Sequence, residues 1–346
     1  MKALVYHGPG RKSWEEAPTP TLQKPTDAIV RVRRTTICGS DLHILKGDVP
    51  ECKDGLILGH EGVGVVEEVG SNVSNFKKGD HVLISCITSC GKCDACKKGM
   101  YSHCADGGWV LGHLIDGTQA ESVRIPHADG SLYHVPSGAD EDALVMLSDI
   151  LPTGYECGVL NGAVKPGDTV AIVGAGPVGL AALMTAQFYA PATTIMVDLD
   201  DNRLEVSKNF GATCTVNSGD GNAVDKVMAL TDNKGVDVSI EAVGTPATFG
   251  ICQDIVAAGG RLANIGVHGK SVELKMGKLW SHNITLTTRL VDAVTTPLLL
   301  KTVLSGKLKP RQLITHELGL GEMMKAYDVF GNAAKEKALK MLIKGG

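Results

Sequence analysis

Four cysteines, Cys90, Cys93, Cys96 and Cys104, fall within one short stretch, separated by two, two and seven residues. Four thiolates so close in sequence satisfy tetrahedral zinc and leave no coordination position for a substrate. That pattern predicts a closed, structural site stapling a loop that has few apolar residues of its own; the rival reading is a set of free surface cysteines. Lys92, Lys97 and Lys98 would ease the gathering of thiolate charge. A second group is scattered. Cys38 lies in Cys38-Gly39-Ser40-Asp41-Leu42-His43 and His60 in Gly59-His60-Glu61-Gly62. Each of these residues alone is more often structural than ligating.

A third signal points to a dinucleotide. Gly174-Ala175-Gly176-Pro177-Val178-Gly179 follows the apolar run 169–173 and opens a helical pattern. In such a turn the first glycine allows the tight reversal, the second lets the backbone approach a pyrophosphate, and the third lets helix and strand pack closely. Pro177 and Val178 start the helix, whose N-terminus would face the phosphates. Asp198 ends the next strand pattern, about 20 residues on. A carboxylate there accepts hydrogen bonds from a ribose 2′-hydroxyl and repels a 2′-phosphate, which favours NAD over NADP even with Arg203 just beyond it.

These residues need two kinds of scaffold. The first part of the chain is β-rich, with strands expected over 28–35, 62–70 and 81–85 and turns between them. After about residue 151 the texture changes to short apolar strands (169–173, 194–197, 213–216, 236–240, 261–265 and 283–288) alternating with helical stretches. Alternation of that kind means βαβ units and a parallel sheet covered on both faces. From about residue 290 the chain returns to helices and a last apolar segment, 338–343. The reading is therefore α/β: residues 1–150 a β-rich domain carrying the cysteine and histidine groups, 151–288 a dinucleotide-binding domain, and 289–346 a helical stretch with a last short apolar segment.

The bulk numbers fit this plan. A chain of 346 residues is long for one core. With 43% hydrophobic and 21% charged residues and a formal net charge of −4, it carries no basic footprint for nucleic acid or an anionic membrane. No apolar run approaches the ~20 residues that span a bilayer, and the first residues do not read as a secretory signal. A cytoplasmic location is expected, and with it reduced cysteines rather than disulfides.

Taken jointly, the segment 38–43, Gly59-His60-Glu61, the four-cysteine loop and 174–179 with Asp198 resemble the zinc-containing medium-chain alcohol dehydrogenases along nearly the whole chain. The resemblance implies a Rossmann doubly wound, NAD-binding domain beside an irregular, mostly antiparallel GroES-like catalytic domain to which 289–346 returns, with one catalytic and one structural zinc per subunit. It implies that Cys38 and His60 bind the catalytic zinc and that Glu61 is a nearby carboxylate able to swing in. The third ligand would be Asp149, where animal and yeast members carry cysteine and bacterial secondary-alcohol and formaldehyde dehydrogenases carry aspartate; Asp149 could instead cap a helix. The zinc would lower the pKa of a bound alcohol, and its carbon would give a hydride to NAD. Ser40 would take the proton and pass it through the nicotinamide ribose to His43 and water.

The same resemblance implies that Trp109 is a pocket residue setting substrate size, that Gly266 and Val267 pack on the nicotinamide, and that Lys340 is a basic contact to the pyrophosphate. The strand at 283–288 is where family members pair subunits, so a homotetramer is expected, with a dimer as the alternative. The implied activity is hydride transfer between NAD and a small, secondary alcohol or its ketone or aldehyde. Formaldehyde or aldehyde, polyol and threonine dehydrogenases are the nearest alternatives, and a non-enzymatic nucleotide-binding or structural protein the more distant one. Cys52, Cys86, Cys157, Cys214 and Cys252 are left as buried small hydrophobes.

Overall fold

The computed structural model describes residues 1–346. The chain forms two compact units, residues 1–149 with 292–346, and residues 150–291. The first opens with an antiparallel pair, β1 (Lys2–Tyr6) and β2 (Lys12–Glu16). It continues with β3 (Ala28–Thr36), β4 (Gly62–Val69), β5 (His81–Ile84), β6 (Ser122–Ile125) and β7 (Leu132–His134). The period of two in β3 sends Ala28, Val30 and Val32 into a core shared with Val66, Val82, Ile84, Val123 and Ile125. Between β3 and β4 runs the helix Gly39–Lys46. Cys38 caps it in an extended conformation, and Gly47, at φ 85°, ends it.

The second unit holds β8 (Thr169–Val173), β9 (Thr193–Asp198), β10 (Cys214–Asn217), β11 (Val236–Glu241), β12 (Val256–Asn264) and β13 (Thr285–Thr288). All pairings are parallel, in the order β10-β9-β8-β11-β12-β13. Counted within this unit that is 3-2-1-4-5-6, the doubly wound Rossmann order, which reverses between β8 and β11. The glycine-rich turn leaves the C-terminal end of β8, at that reversal.

The chain then returns to the first unit as β14 (Ile314–Gly319) and β15 (Lys340–Lys344). The larger sheet there runs β14-β15-β3-β4-β5-β7, with β6 also on β3; only β14–β15 is parallel.

Several details differ from the sequence expectations, among them the start of β12 at Val256 rather than 261 and the unexpected short strands β1, β2, β6 and β7. The last strand of the parallel sheet starts at Thr285 rather than 283, because Asn283 takes a left-handed turn conformation at φ 52°. Strand β14 carries no alternating apolar pattern and was not anticipated. Nor was the π-helix Gly154–Leu160. It lies against the helix Pro177–Ala186 so closely that a Cβ on Gly154 would sit 2.6 Å from the Ala182 nitrogen. No single helix is long and apolar enough to cross a membrane.

Candidate functional site

Cys38, His60 and Asp149 come together although they are far apart in sequence. One ligand atom from each lies within 4.8 Å of the others. Asp149 Oδ2 is 3.1 Å from His60 Nε2 and 3.5 Å from Cys38 Sγ. Each is placed by its own device. Cys38 sits at the cap of the Gly39–Lys46 helix, where its amide donates to Asp41 Oδ2 at 2.9 Å. His60 follows Gly59, whose φ of 96° and 2.6 Å approach to Gln119 Cγ leave no room for a side chain. Asp149 lies in the turn between the 3₁₀ turn Val145–Leu147 and the helix Ile150–Thr153.

The donor set, one sulfur, one imidazole nitrogen and one carboxylate oxygen, could hold a zinc ion, and three protein ligands are the number found where zinc keeps a fourth position open. Burial disfavours a charged His60 ring, but the facing Asp149 and Cys38 outweigh it and hold its pKa well above the usual value.

The surroundings include residues the sequence did not single out. Asp41 is buried, with Oδ1 3.8 Å from His60 Nδ1. Gln119 Nε2 donates to its other oxygen at 3.0 Å, and Tyr327 Oη donates to Gln119 Oε1 at 2.8 Å. A carboxylate behind a ligating histidine orients the ring. The signal for Asp41 was its place in the Cys38–His43 segment; for Gln119 and Tyr327 there was none.

Glu61 is buried and pairs through Oε2 with Lys340 Nζ and Thr36 Oγ1, while its Oε1 meets no partner. Lys340 therefore corrects an expectation. Read as a phosphate contact, it is 1% exposed, and its ammonium also donates to Thr36 Oγ1 at 3.0 Å and the Ile37 carbonyl at 3.2 Å. Three protein oxygens converge there. Burial opposes the ammonium, but the Glu61 charge more than compensates and raises its pKa.

Ser40 and His43 lie one turn apart on the same helix. The Ser40 hydroxyl is buried with no hydrogen-bond partner, and His43 Nδ1 is 2.8 Å from Asp48 Oδ2 near the surface. Trp109 stands edge-on to His60, with ring centroids 6.3 Å apart, and stacks on His113 at 4.2 Å. Of the five cysteines taken as hydrophobes, Cys214 is only half-buried at the start of β10, and Cys86 turns its thiol to Asp149 Oδ1 at 3.7 Å.

The second metal-binding group is the four-cysteine loop. The sulfurs of Cys90, Cys93, Cys96 and Cys104 all lie within 4.8 Å of one another, and all ten cysteines are free thiols. Backbone N–H groups of Ala105 and Cys96 hold the Cys93 thiol down to about 6, whereas burial and the neighbouring thiols push Cys96 up to about 12. Four thiolates here need a cation at their centre, and a tetrahedral zinc fits.

In the second unit each glycine of the turn has a visible reason. Gly174 has φ 111°. A Cβ on Gly179 would lie 1.8 Å from the Gly174 carbonyl oxygen, whereas one on Gly176 would meet nothing nearer than Arg203 Nη1 at 3.9 Å. The open side at Gly176 caps the helix Pro177–Ala186, where backbone N–H groups can receive a phosphate. Asp198 Oδ2 accepts from the Ala175 amide at 2.6 Å, which ties the end of β9 to the turn. Gly266 packs against Gly244 and the buried Glu241, and Val267 is 61% exposed beside it.

Comparison with known proteins agrees with this architecture. Residues 24–137 match the alcohol dehydrogenase GroES-like domain, and residues 177–303 match the zinc-binding dehydrogenase domain. An alcohol dehydrogenase of Cupriavidus necator is 36% identical over 99% of this chain and 98% of its own length. The zinc-dependent alcohol dehydrogenase 2 of Streptococcus pneumonia has a solved structure that superposes with a TM-score of 0.96 at 59% identity, covering 100% of this chain and 98% of that one. The NADP-dependent isopropanol dehydrogenase of Thermoanaerobacter brockii is 35% identical over 81% of this chain and 79% of its own.

The chain belongs to the zinc-containing medium-chain alcohol dehydrogenase family. It is a zinc-dependent oxidoreductase that moves a hydride between small alcohols or carbonyl compounds and a nicotinamide cofactor.

Proposed function

We propose that the chain is an NAD-dependent dehydrogenase of small secondary alcohols, with Cys38, His60 and Asp149 holding the catalytic zinc and Cys90, Cys93, Cys96 and Cys104 a structural one. The observation that carries this reading is the convergence of the three dispersed ligand atoms. When bound, the zinc supplies Lewis acidity that eases ionisation of an alcohol, and the nicotinamide accepts the hydride. The protein's own residues do the rest. Asp41 stands behind the His60 ring as a buried acidic neighbour, with Oδ1 3.8 Å from Nδ1. Ser40, with its buried and unpartnered hydroxyl, would take up the alcohol proton, and His43, held 2.8 Å from Asp48 Oδ2 near the surface, would hand it on to water. Trp109, edge-on to His60, bounds the pocket and limits substrate size.

The preference for NAD is supported by Asp198, a carboxylate at the end of β9 next to the glycine turn, which disfavours a 2′-phosphate. Arg203 beside Gly176 and the NADP-using isopropanol relative make this preference a specific target for measurement.

The deciding experiment is the initial rate of reduced cofactor formation from 2-propanol and from ethanol, with NAD and with NADP, before and after chelation. A rate with 2-propanol and NAD that exceeds the other three combinations and disappears on chelation is the expected result. A higher rate with NADP would overturn the Asp198 assignment. Zinc and cofactor bound with no rate on either alcohol would redirect the search to aldehydes, polyols and amino alcohols.

A further inference from the structure

Cys86 lies two residues beyond the end of β5 and is 2% exposed. A thiol so buried is usually only a small apolar filler. Here it is aimed at a metal-ligating carboxylate. Cys86 Sγ donates to Asp149 Oδ1 at 3.7 Å, while the other oxygen, Oδ2, faces Cys38 at 3.5 Å and His60 at 3.1 Å. The backbone fixes the two partners side by side. The Cys86 amide donates to the Ser148 carbonyl at 3.0 Å. Ser148 Oγ in turn accepts from the Gly62 amide at 3.0 Å and donates to the Gly62 carbonyl at 3.3 Å. The ligand-bearing turn is thus locked to β4 on one side and to the end of β5 on the other.

A carboxylate can ligate through one oxygen or both, and its plane is free to rotate unless something holds the distal oxygen. A donor on that oxygen favours coordination through the other one alone and fixes its direction. A cysteine ligand, with a single sulfur, has no such second atom to restrain. We propose that Cys86 is a positioning residue for Asp149, keeping it a one-oxygen ligand with Oδ2 turned to the metal. The inference rests on the reading of Asp149 as the third zinc ligand.

The test uses three substitutions in the full chain, Cys86→Ala, Cys86→Val and Cys86→Ser. Two readouts apply: release of the catalytic metal to a chromophoric chelator, and the ligand-field absorption of protein carrying cobalt at the catalytic site. Loss of the donor in Cys86→Ala and Cys86→Val weakens retention of the catalytic metal by about 10-fold or more, within the range found for partners of metal ligands, and shifts the cobalt bands. Cys86→Ser, which keeps a donor, restores both. Retention of the four-cysteine metal in every variant reports that the fold is intact.

Parent-like metal release and spectra in Cys86→Ala and Cys86→Val would overturn the proposal. So would rescue by Val and not by Ser, which would make volume the property that matters. Asp149→Asn separates the two levels. If that variant keeps its catalytic metal, the ligand reading itself fails; if it loses the metal while Cys86→Ala does not, only the role of Cys86 fails.

Discussion

A buried hydroxyl without a partner costs roughly 1–3 kcal/mol, and Ser40 carries one on the first turn of the helix that Cys38 caps. Such a group is useful if a reacting molecule completes it. Ser40→Ala is therefore expected to lower kcat by about 100-fold or more, the scale of a lost proton-transfer group, with both zincs still bound. A near-normal kcat in protein of full metal content would remove Ser40 from the proton path. At this scale the sequence was legible only in part. Cys38, Ser40 and His43 are neighbours in sequence, but their roles were assigned through resemblance. Asp149 is 111 residues from Cys38, and no spacing rule reaches that far; it was placed only through resemblance. Lys340 meets Glu61 across 279 residues, so its partner could not be read from its neighbours, and a phosphate contact was the natural but mistaken expectation. Cys86 is buried as expected, but burial alone does not reveal where a thiol points.

Among the elements, the glycine turn and the parallel strands were readable because their causes are local: apolar runs, a turn sequence and a helix start. The π-helix Gly154–Leu160 and strand β14 were not, because only contact with other elements explains them. The same holds for the tie between the helix Glu141–Leu144 and the large sheet. Asp142 on that helix binds Arg34 of β3 through Oδ1, Arg311 at 2.9 Å and Lys344 of β15 at 3.5 Å.

Burial pushes the Asp142 carboxyl up, but Arg34 and Arg311 outweigh it and hold the pKa below its ordinary 3.8. The sign follows from linkage. Stability from these bonds is fully present above the unfolded value and is lost as pH falls through the lower native one. Asp142→Asn should cost about 2 kcal/mol at pH 7, as lost hydrogen bonds to a charged group do. The gap in thermal midpoint between parent and variant should narrow as pH falls below 3.8 and close once it has passed the lowered native value. An equal gap at pH 7 and in acid would show that the carboxylate charge is not what stabilises this junction.

On the scale of the whole molecule, β13 ends the parallel sheet with one edge unpaired, and Leu286 on it is 37% exposed. An open edge is a template for another strand, and pairing of β13 between two copies would complete it. Sedimentation is expected to give a four-chain species. Two chains would retain the paired edge and discard a second interface, and a single chain would overturn the assignment.

The four-cysteine loop has a further meaning in the way the chain is threaded. Thr88 and Gly108 exchange backbone hydrogen bonds of 3.0 and 2.7 Å, so the segment between them leaves and returns through a latched neck. Two residues before the neck is Cys86, against Asp149; one residue after it is Trp109, against His60. A zinc held by the four sulfurs would brace that neck from its far side. Its removal is then expected to loosen the contacts to Asp149 and His60 together, which would show as faster release of the catalytic metal from protein stripped at the four-cysteine loop.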